Sequence, residues 1–171
     1  SPSFFVSAKG AYYDAGFGLF ARGGADKTYT IDYASSQALG SYVDYTAIRP
    51  QTTVNVDGSY FASSMGGNHE LKFGFGYRES TTNSISHYNG NQINGEYYGP
   101  GTGGGSNVAY VTRDVNTKYY GRYMSLYAGD VFTKDRFTFN IGIRVDKQTA
   151  KNLASESPAN ASFPTRLPAR V

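Results

Sequence analysis

The side chains able to do chemistry in this chain are few in kind and widely spaced. His69 and His87 are its only histidines, and it has no cysteine. A histidine can ligate a metal or move a proton. These two, however, fall near opposite ends of one expected strand, about 60 Å apart at ~3.3 Å per residue, so they cannot share a metal ion. Without cysteine, neither a disulfide framework nor a thiolate metal site can form. Asp26, Asp32 and Asp44 lie in one long connection, at a spacing that fits no calcium-binding loop. The run Gly101-Thr102-Gly103-Gly104-Gly105-Ser106 has the glycine content of a phosphate cradle, yet it lacks the lysine that should follow, and no helix start adjoins it. A mobile surface loop is the simpler reading. Serines and carboxylates are plentiful, but no nucleophile, base and orienting group can be set beside one another. The chain therefore reads as a non-enzyme, with no catalytic, metal-binding or cofactor-binding residues expected.

One stretch has the chemistry of recognition rather than of reaction. Over residues 88–98 the rings of Tyr88, Tyr97 and Tyr98 bracket the amides of Asn91 and Asn94. Rings stack, and amides both donate and accept. Tyr88, Asn91, Asn94, Tyr97 and Tyr98 thus make a possible ligand-contacting loop, suited to a sugar or a peptide. Loops on rigid scaffolds often carry function, although Tyr and Asn also decorate inert loops.

The elements that would hold such a loop are strands. In Phe137-Thr138-Phe139-Asn140-Ile141-Gly142-Ile143-Arg144-Val145-Asp146, apolar residues alternate with Thr, Asn, Gly, Arg and Asp, and the tight turn Thr133-Lys134-Asp135-Arg136 precedes them. A second hairpin repeats the signal. Val54, Val56, Gly58 and Tyr60 alternate with Thr53, Asn55, Asp57 and Ser59; Leu71, Phe73, Phe75 and Tyr77 then alternate with Lys72, Gly74, Gly76 and Arg78, with one misfit at Phe61. Period two puts the apolar set on one face and Asp57, Lys72, Arg78, Arg144 and Asp146 on the other. Burying those charges unpaired in an oily core would be costly, so their face is expected to meet water or a polar plug and to point into a lumen.

Five strands are expected, at about 4–13, 50–63, 70–87, 108–132 and 137–150, joined alternately by short turns and by long loops at 14–49 and 88–107. Strands of ten or more residues exceed the usual sandwich strand of about 5 to 6. An antiparallel up-and-down transmembrane β-barrel segment, all-β, fits better, with short turns on the periplasmic side and long loops outside. The strand at 108–132 would rise some 80 Å, more than the ~25 Å apolar band needs, unless it breaks within 108–119.

Composition agrees with a β protein. Aromatics are 16% of the 171 residues, as 16 Tyr and 11 Phe without Trp. Tyr12, Tyr13, Tyr119, Tyr120 and Tyr123 are of the type that forms girdles where hydrocarbon meets headgroup. No stretch approaches the roughly 18 consecutive apolar residues of a membrane helix, and a mean hydropathy of -0.46 would suggest a soluble protein, but neither tests a barrel, whose strands offer only alternate residues to lipid. The net charge of +3 arises from scattered residues without a basic run, so no nucleic-acid partner is expected.

Asn68-His69-Glu70-Leu71-Lys72-Phe73-Gly74-Phe75-Gly76-Tyr77-Arg78 resembles the HxLKFGxxYR strand of TonB-dependent outer-membrane receptors, in particular the Oar-like branch with a carboxypeptidase-regulatory-like N-terminal domain. The hairpin formed by Leu126-Tyr127-Ala128-Gly129-Asp130-Val131-Phe132 and residues 136–146 is similar to that family's LYxQDxW…DRxTxNxGxRYD. It departs at Gly129 for Gln, Phe132 for Trp and Val145 for Tyr. Arg49-Pro50-Gln51 and Phe163-Pro164 fit the same pattern. The resemblance implies a barrel of about 22 strands with a plugged lumen, in the outer membrane of a Gram-negative envelope, that transports a bulky substrate. Its implied partners are outer-membrane lipid, the remaining barrel and plug, and a TonB-type energy-coupling protein.

Five strands cannot close a barrel, because membrane barrels of this class start at eight. Residues 1–171 are therefore expected to be a partial barrel domain, with the plug and closing strands outside the sequence. The start, Ser1-Pro2-Ser3-Phe4-Phe5-Val6, has no secretory-signal pattern, so the true start is expected upstream. Two other readings stay open. One is a small non-transporting outer-membrane barrel or adhesin, which needs further strands within 14–49, where 28–33 is the fair candidate. The other is a secreted carbohydrate-binding β-sandwich.

Overall fold

A computed structural model of the chain describes residues 3–100 and 105–171. Most of the glycine-rich run, including Gly103, thus lies outside the described residues. Eleven strands follow one another: β1 (Phe4–Tyr13), β2 (Gly16–Leu19), β3 (Thr30–Asp32), β4 (Gln37–Leu39), β5 (Val43–Ile48), β6 (Gln51–Ser64), β7 (Gly67–Tyr88), β8 (Ile93–Tyr97), β9 (Val108–Val111), β10 (Val115–Lys134) and β11 (Phe137–Leu153). One seven-stranded sheet runs β1-β6-β7-β10-β11, with β5 on β7 and β2 on β5; a second sheet has the order β4-β3-β8-β9. The fold is all-β and mainly antiparallel, with β3 and β8 the parallel pair. No closed barrel forms among the described residues: β1 pairs only with β6, and β11 only with β10.

Four of the expected long strands, now β1, β6, β7 and β11, fall close to their expected positions because their alternation persists over many residues, and β10 makes the fifth. Two compact units share them. Unit 1 comprises residues 3–15 with Pro50–Thr81 and Tyr120–Lys151, and unit 2 comprises Gly16–Arg49, Thr82–Tyr119 and Asn152–Val171.

In unit 1 the register sets like against like. Val54 lies opposite Tyr77, Val56 opposite Phe75 and Tyr60 opposite Leu71, while Thr53 faces Arg78 and Ser59 faces Lys72. The hairpins are minimal, and β6 closes onto β7 at Ser64 and Gly67, a shorter turn than the sequence implied. Met65 and Gly66, with φ of 53° and 75°, take the positive angles that a two-residue turn demands. Asp135 does the same with φ of 52°, a conformation Asp tolerates better than most residues.

Two glycines let aromatic rings cross a neighbouring strand. Gly58 lies opposite Phe73, whose ring occupies the space a Cβ would need and reaches Phe4 with centroids 6.1 Å apart. On the other face, the Tyr127 ring lies over Gly74, and its hydroxyl donates to Asp57 Oδ1 at 2.8 Å.

Unit 2 corrects the long-loop reading. Residues 14–49 hold β2 to β5, and residues 88–107 hold a single turn, Asn89–Gln92, followed by β8. Strands of three to six residues are too short to show a clear period, so alternation could not announce them. The expected strand at 108–132 is broken between β9 and β10, where Asp114 draws the chain aside. Its Oδ2 meets His87 Nδ1 at 2.6 Å, and its Oδ1 accepts from the Tyr88 N–H at 3.0 Å. The connection at 28–33 does hold a strand, β3. Asp32 closes its hairpin, accepting from the Ala34 N–H at 2.9 Å and the Ser35 hydroxyl at 2.7 Å.

Among the described residues the only buried apolar side chain is Ala47. Phe137, Phe139, Ile141, Ile143 and Val145 of β11 are instead 60–75% exposed. Tyr60, Leu71 and Phe73 on the neighbouring strands of unit 1 are exposed as well.

Candidate functional site

Four of the five charged residues expected on one face of the long strands, Asp57, Arg78, Arg144 and Asp146, are held there by tyrosines. Arg144 Nε donates to Asp146 Oδ1 at 3.0 Å, and its Nη2 donates to the Tyr123 hydroxyl at 2.7 Å. That hydroxyl in turn donates to Asp146 Oδ1. The Arg78 guanidinium lies 5.6 Å from the Tyr123 ring centre, and Asp57 takes the Tyr127 hydroxyl. Lys72 stands apart, 3.2 Å from Glu70. Asp57, Arg78, Arg144, Tyr123 and Tyr127 line an open groove of about 540 Å³. Its charged groups are solvent-accessible, so each ion pair contributes little on its own, about 0–1 kcal/mol. Chemically the groove offers a mixed-sign, hydrogen-bonding surface without an activated nucleophile.

Sequence reasoning placed these charges on one face but missed the tyrosines that hold them. Of the residues suited to girdles, Tyr123 joins this charged network instead. Tyr120 shares a Glu79 oxygen with Tyr77, donating to it at 2.9 Å. Alternation puts Tyr12 on the apolar face of β1 and Tyr13 on the other.

In unit 2 the expected ligand-contacting residues do not act as one set. Tyr88 packs edge-on to Tyr42 with centroids 5.1 Å apart. Asn91 is exposed in a turn where Gly90 and Asn91 are left-handed. Asn94 is 3% exposed, Tyr97 is 41% exposed, and Tyr98 stacks on Tyr33 at 4.6 Å and 18°.

Around Tyr98 a carboxylate gathers phenols. The Tyr98 hydroxyl donates to Glu96 Oε2 at 3.1 Å, and this hydrogen bond, with burial and the carboxylate's charge behind it, pushes the Tyr98 pKa up to about 12. The same carboxylate raises Tyr110. Burial, and then Tyr88, raise Tyr42.

Two buried asparagines were invisible from the sequence. Asn89 Nδ2 donates to the Ser41 carbonyl at 3.0 Å and to Asp44 Oδ1 at 3.1 Å, and Asp44 also takes the Ala21 N–H at 2.7 Å. Asn160 donates to the Thr112 carbonyl at 2.6 Å and accepts the N–H groups of Ser162 and Phe163, each at 2.8 Å. Each ties together segments distant in the chain, so no spacing rule reveals them.

His69 and His87 each face an aspartate, His69 Nδ1 lying 2.7 Å from Asp130. Among the described residues no group of three metal-ligating side chains comes together. No protein family, curated protein or solved structure matches the chain.

Proposed function

We propose that the five long strands are a section of the wall of a TonB-dependent transporter barrel in a bacterial outer membrane. The observation that carries this reading is the inverted burial of unit 1: among the described residues Ala47, in unit 2, is the only apolar side chain shut from water, while β11 leaves five large ones 60–75% exposed. A soluble monomer rarely leaves so continuous an apolar surface bare, and hydrocarbon is the surrounding that would make it favourable. The extent of that surface fits as well. On β7 it runs from Leu71 to Tyr77, about 20 Å at ~3.3 Å per residue, against an apolar band of ~25 Å. It is bounded by the His69–Asp130 pair at one end and by Glu79 at the other.

On this reading the face with Asp57, Arg78, Arg144 and Asp146 lines the water-filled or plugged interior. Tyr123 and Tyr127 hold its charges so that a bulky substrate slides past fixed polar groups. The rest of the barrel covers the β1 and β11 edges, which an isolated sheet could not leave open in lipid. Energy for transport comes from the inner membrane through a TonB-type protein acting on a plug. A small closed barrel is disfavoured by the unpaired outer edges of β1 and β11, and a soluble sandwich by the nearly absent apolar core.

The test is the side of each connection. The chain has no native cysteine, so Lys134→Cys and Asn91→Cys are clean reporters in cells that carry the protein in an intact outer membrane. An impermeant thiol reagent is expected to label Asn91→Cys at once and Lys134→Cys only after permeabilisation. Equal labelling of both in intact cells would refute the topology.

A further inference from the structure

Within unit 2, Tyr29, Tyr42, Asn94, Glu96 and Tyr110 converge on a cavity of about 390 Å³, inside the range of small-ligand sites. Register explains the convergence. Asn94 lies opposite Tyr110 across β8 and β9, and Glu96, two residues on and so on the same face, lies opposite Ile31 of β3. The rings of Tyr29 and Tyr42 meet edge to face, 5.6 Å apart at 71°.

Asn94 is the telling residue. Only 3% exposed, it has neither Oδ1 nor Nδ2 in a hydrogen bond. Buried amides of folded proteins are almost always satisfied, and leaving both ends unmet is costly. A group kept at that cost beside a cavity points to a ligand that completes it.

The chemistry of the walls narrows the ligand. Among the described residues no lysine or arginine lines the cavity, so an anion finds no counter-charge. The one carboxylate among the described lining residues, Glu96, already accepts the Tyr98 hydroxyl. A simple cation would satisfy Asn94 Oδ1 and leave Nδ2 unmet. Adjacent hydroxyls on a sugar ring both donate and accept, so a pair of them meets both ends of one amide. The C–H faces of the same ring suit the flat tyrosine walls. We infer that this cavity binds a neutral saccharide of one or two rings, with Asn94 as its polar anchor and Tyr29, Tyr42 and Tyr110 as its stacking surfaces. The inference rests on unit 2 alone and does not require that the long strands cross a membrane. It also redraws the expected ligand loop: Asn94 is kept, whereas Asn91, exposed, and Tyr97, which alternation turns to the opposite face of β8, fall outside the site.

The full chain, purified in a detergent without a sugar headgroup, should be screened against an array of neutral mono- and disaccharides, with titration calorimetry on those retained. Saturable binding of at least one sugar is expected. Asn94→Leu should weaken it by ~10-fold or more while the thermal midpoint holds or rises, because an unmet buried amide is replaced by an apolar side chain of similar size. Asn91→Ala should leave affinity unchanged. Should Asn94→Leu misfold, Tyr110→Ala, at a position 48% exposed, removes a wall without disturbing the interior and should weaken binding comparably. Three results would each overturn the inference: an array without a bound sugar, wild-type affinity in the folded variants, or Asn94-dependent binding of short peptides where sugars fail.

Discussion

In unit 1 the polar side chains that organise the sheet are charged and reachable by water: Arg144, Asp146 and Asp57, held by the hydroxyls of Tyr123 and Tyr127. In unit 2 the organising groups are amides shut away from water, Asn89 and Asn160, each bonded to backbone carbonyls of distant segments. The contrast separates two sources of order. The long ladders of unit 1 fix the backbone by themselves, and their stability depends on what covers the apolar face. The short strands of unit 2 cannot fix the backbone alone, so single buried side chains tie the segments together. Unit 1 should therefore respond to its surroundings, and unit 2 to the loss of individual hubs.

The largest effect should come from breaking the facing of unit 1. If unit 1 faces lipid as proposed, Ile141→Arg is expected to cost about 2–4 kcal/mol in reversible unfolding of the protein reconstituted in lipid, and Asn140→Arg far less. Similar costs at both positions would erase the distinction between the two faces. Next comes the crossing at Gly74, where an added Cβ meets the Tyr127 ring and would lie 2.8 Å from Asp57 Oδ1. Gly74→Val should cost about 2–3 kcal/mol, the upper part of the range for overpacking, and should free Tyr127 from Asp57. A variant as stable as the parent would show that the crossing is incidental.

For unit 2, Asn160→Ala leaves the Thr112 carbonyl and two N–H groups without partners and should cost about 1–2 kcal/mol. Limited proteolysis should then cut within 154–171 while the long strands stay intact. Uniform loss of protection across both units would contradict a local hub.

The smallest effect is a titration. The raised pKa means that folded Tyr98 holds its proton more tightly than the unfolded chain does. Its contribution to stability is complete below pH ~10 and is lost as pH rises toward about 12. Absorbance of tyrosinate should show a latest-titrating group near pH 12 that Tyr98→Phe removes and Glu96→Gln shifts down toward the ordinary value. An unchanged late group in Glu96→Gln would mean that the carboxylate is not its cause.

How legible the molecule was from its sequence follows the same division. β1, β6, β7 and β11 could be read within a few residues because ten or more positions of alternation leave one consistent register, and the five polar-face charges came with them. The hand of each turn was less clear: Met65, an unusual residue at positive φ, hid a two-residue turn within what looked like a longer connection. β2, β3, β4, β5 and β8 were missed as strands, apart from the hint at 28–33, because short strands are selected by partners rather than by pattern. In the candidate ligand loop the residue types were legible, but which of them face the same way was not. That depended on the pairing of β8 with β3 and β9, two segments far away in the chain.

The central claim, that unit 1 turns its apolar face to hydrocarbon and its charged face to water, is tested most directly on β11. Spin labels placed singly at positions 139 to 144, in the protein reconstituted in lipid, report contact with dissolved oxygen, which favours hydrocarbon, and with a water-soluble paramagnetic nickel complex. The account predicts strict alternation: labels at Phe139, Ile141 and Ile143 should favour oxygen, and those at Asn140, Gly142 and Arg144 the nickel complex. Equal access of the nickel complex to all six positions would contradict it.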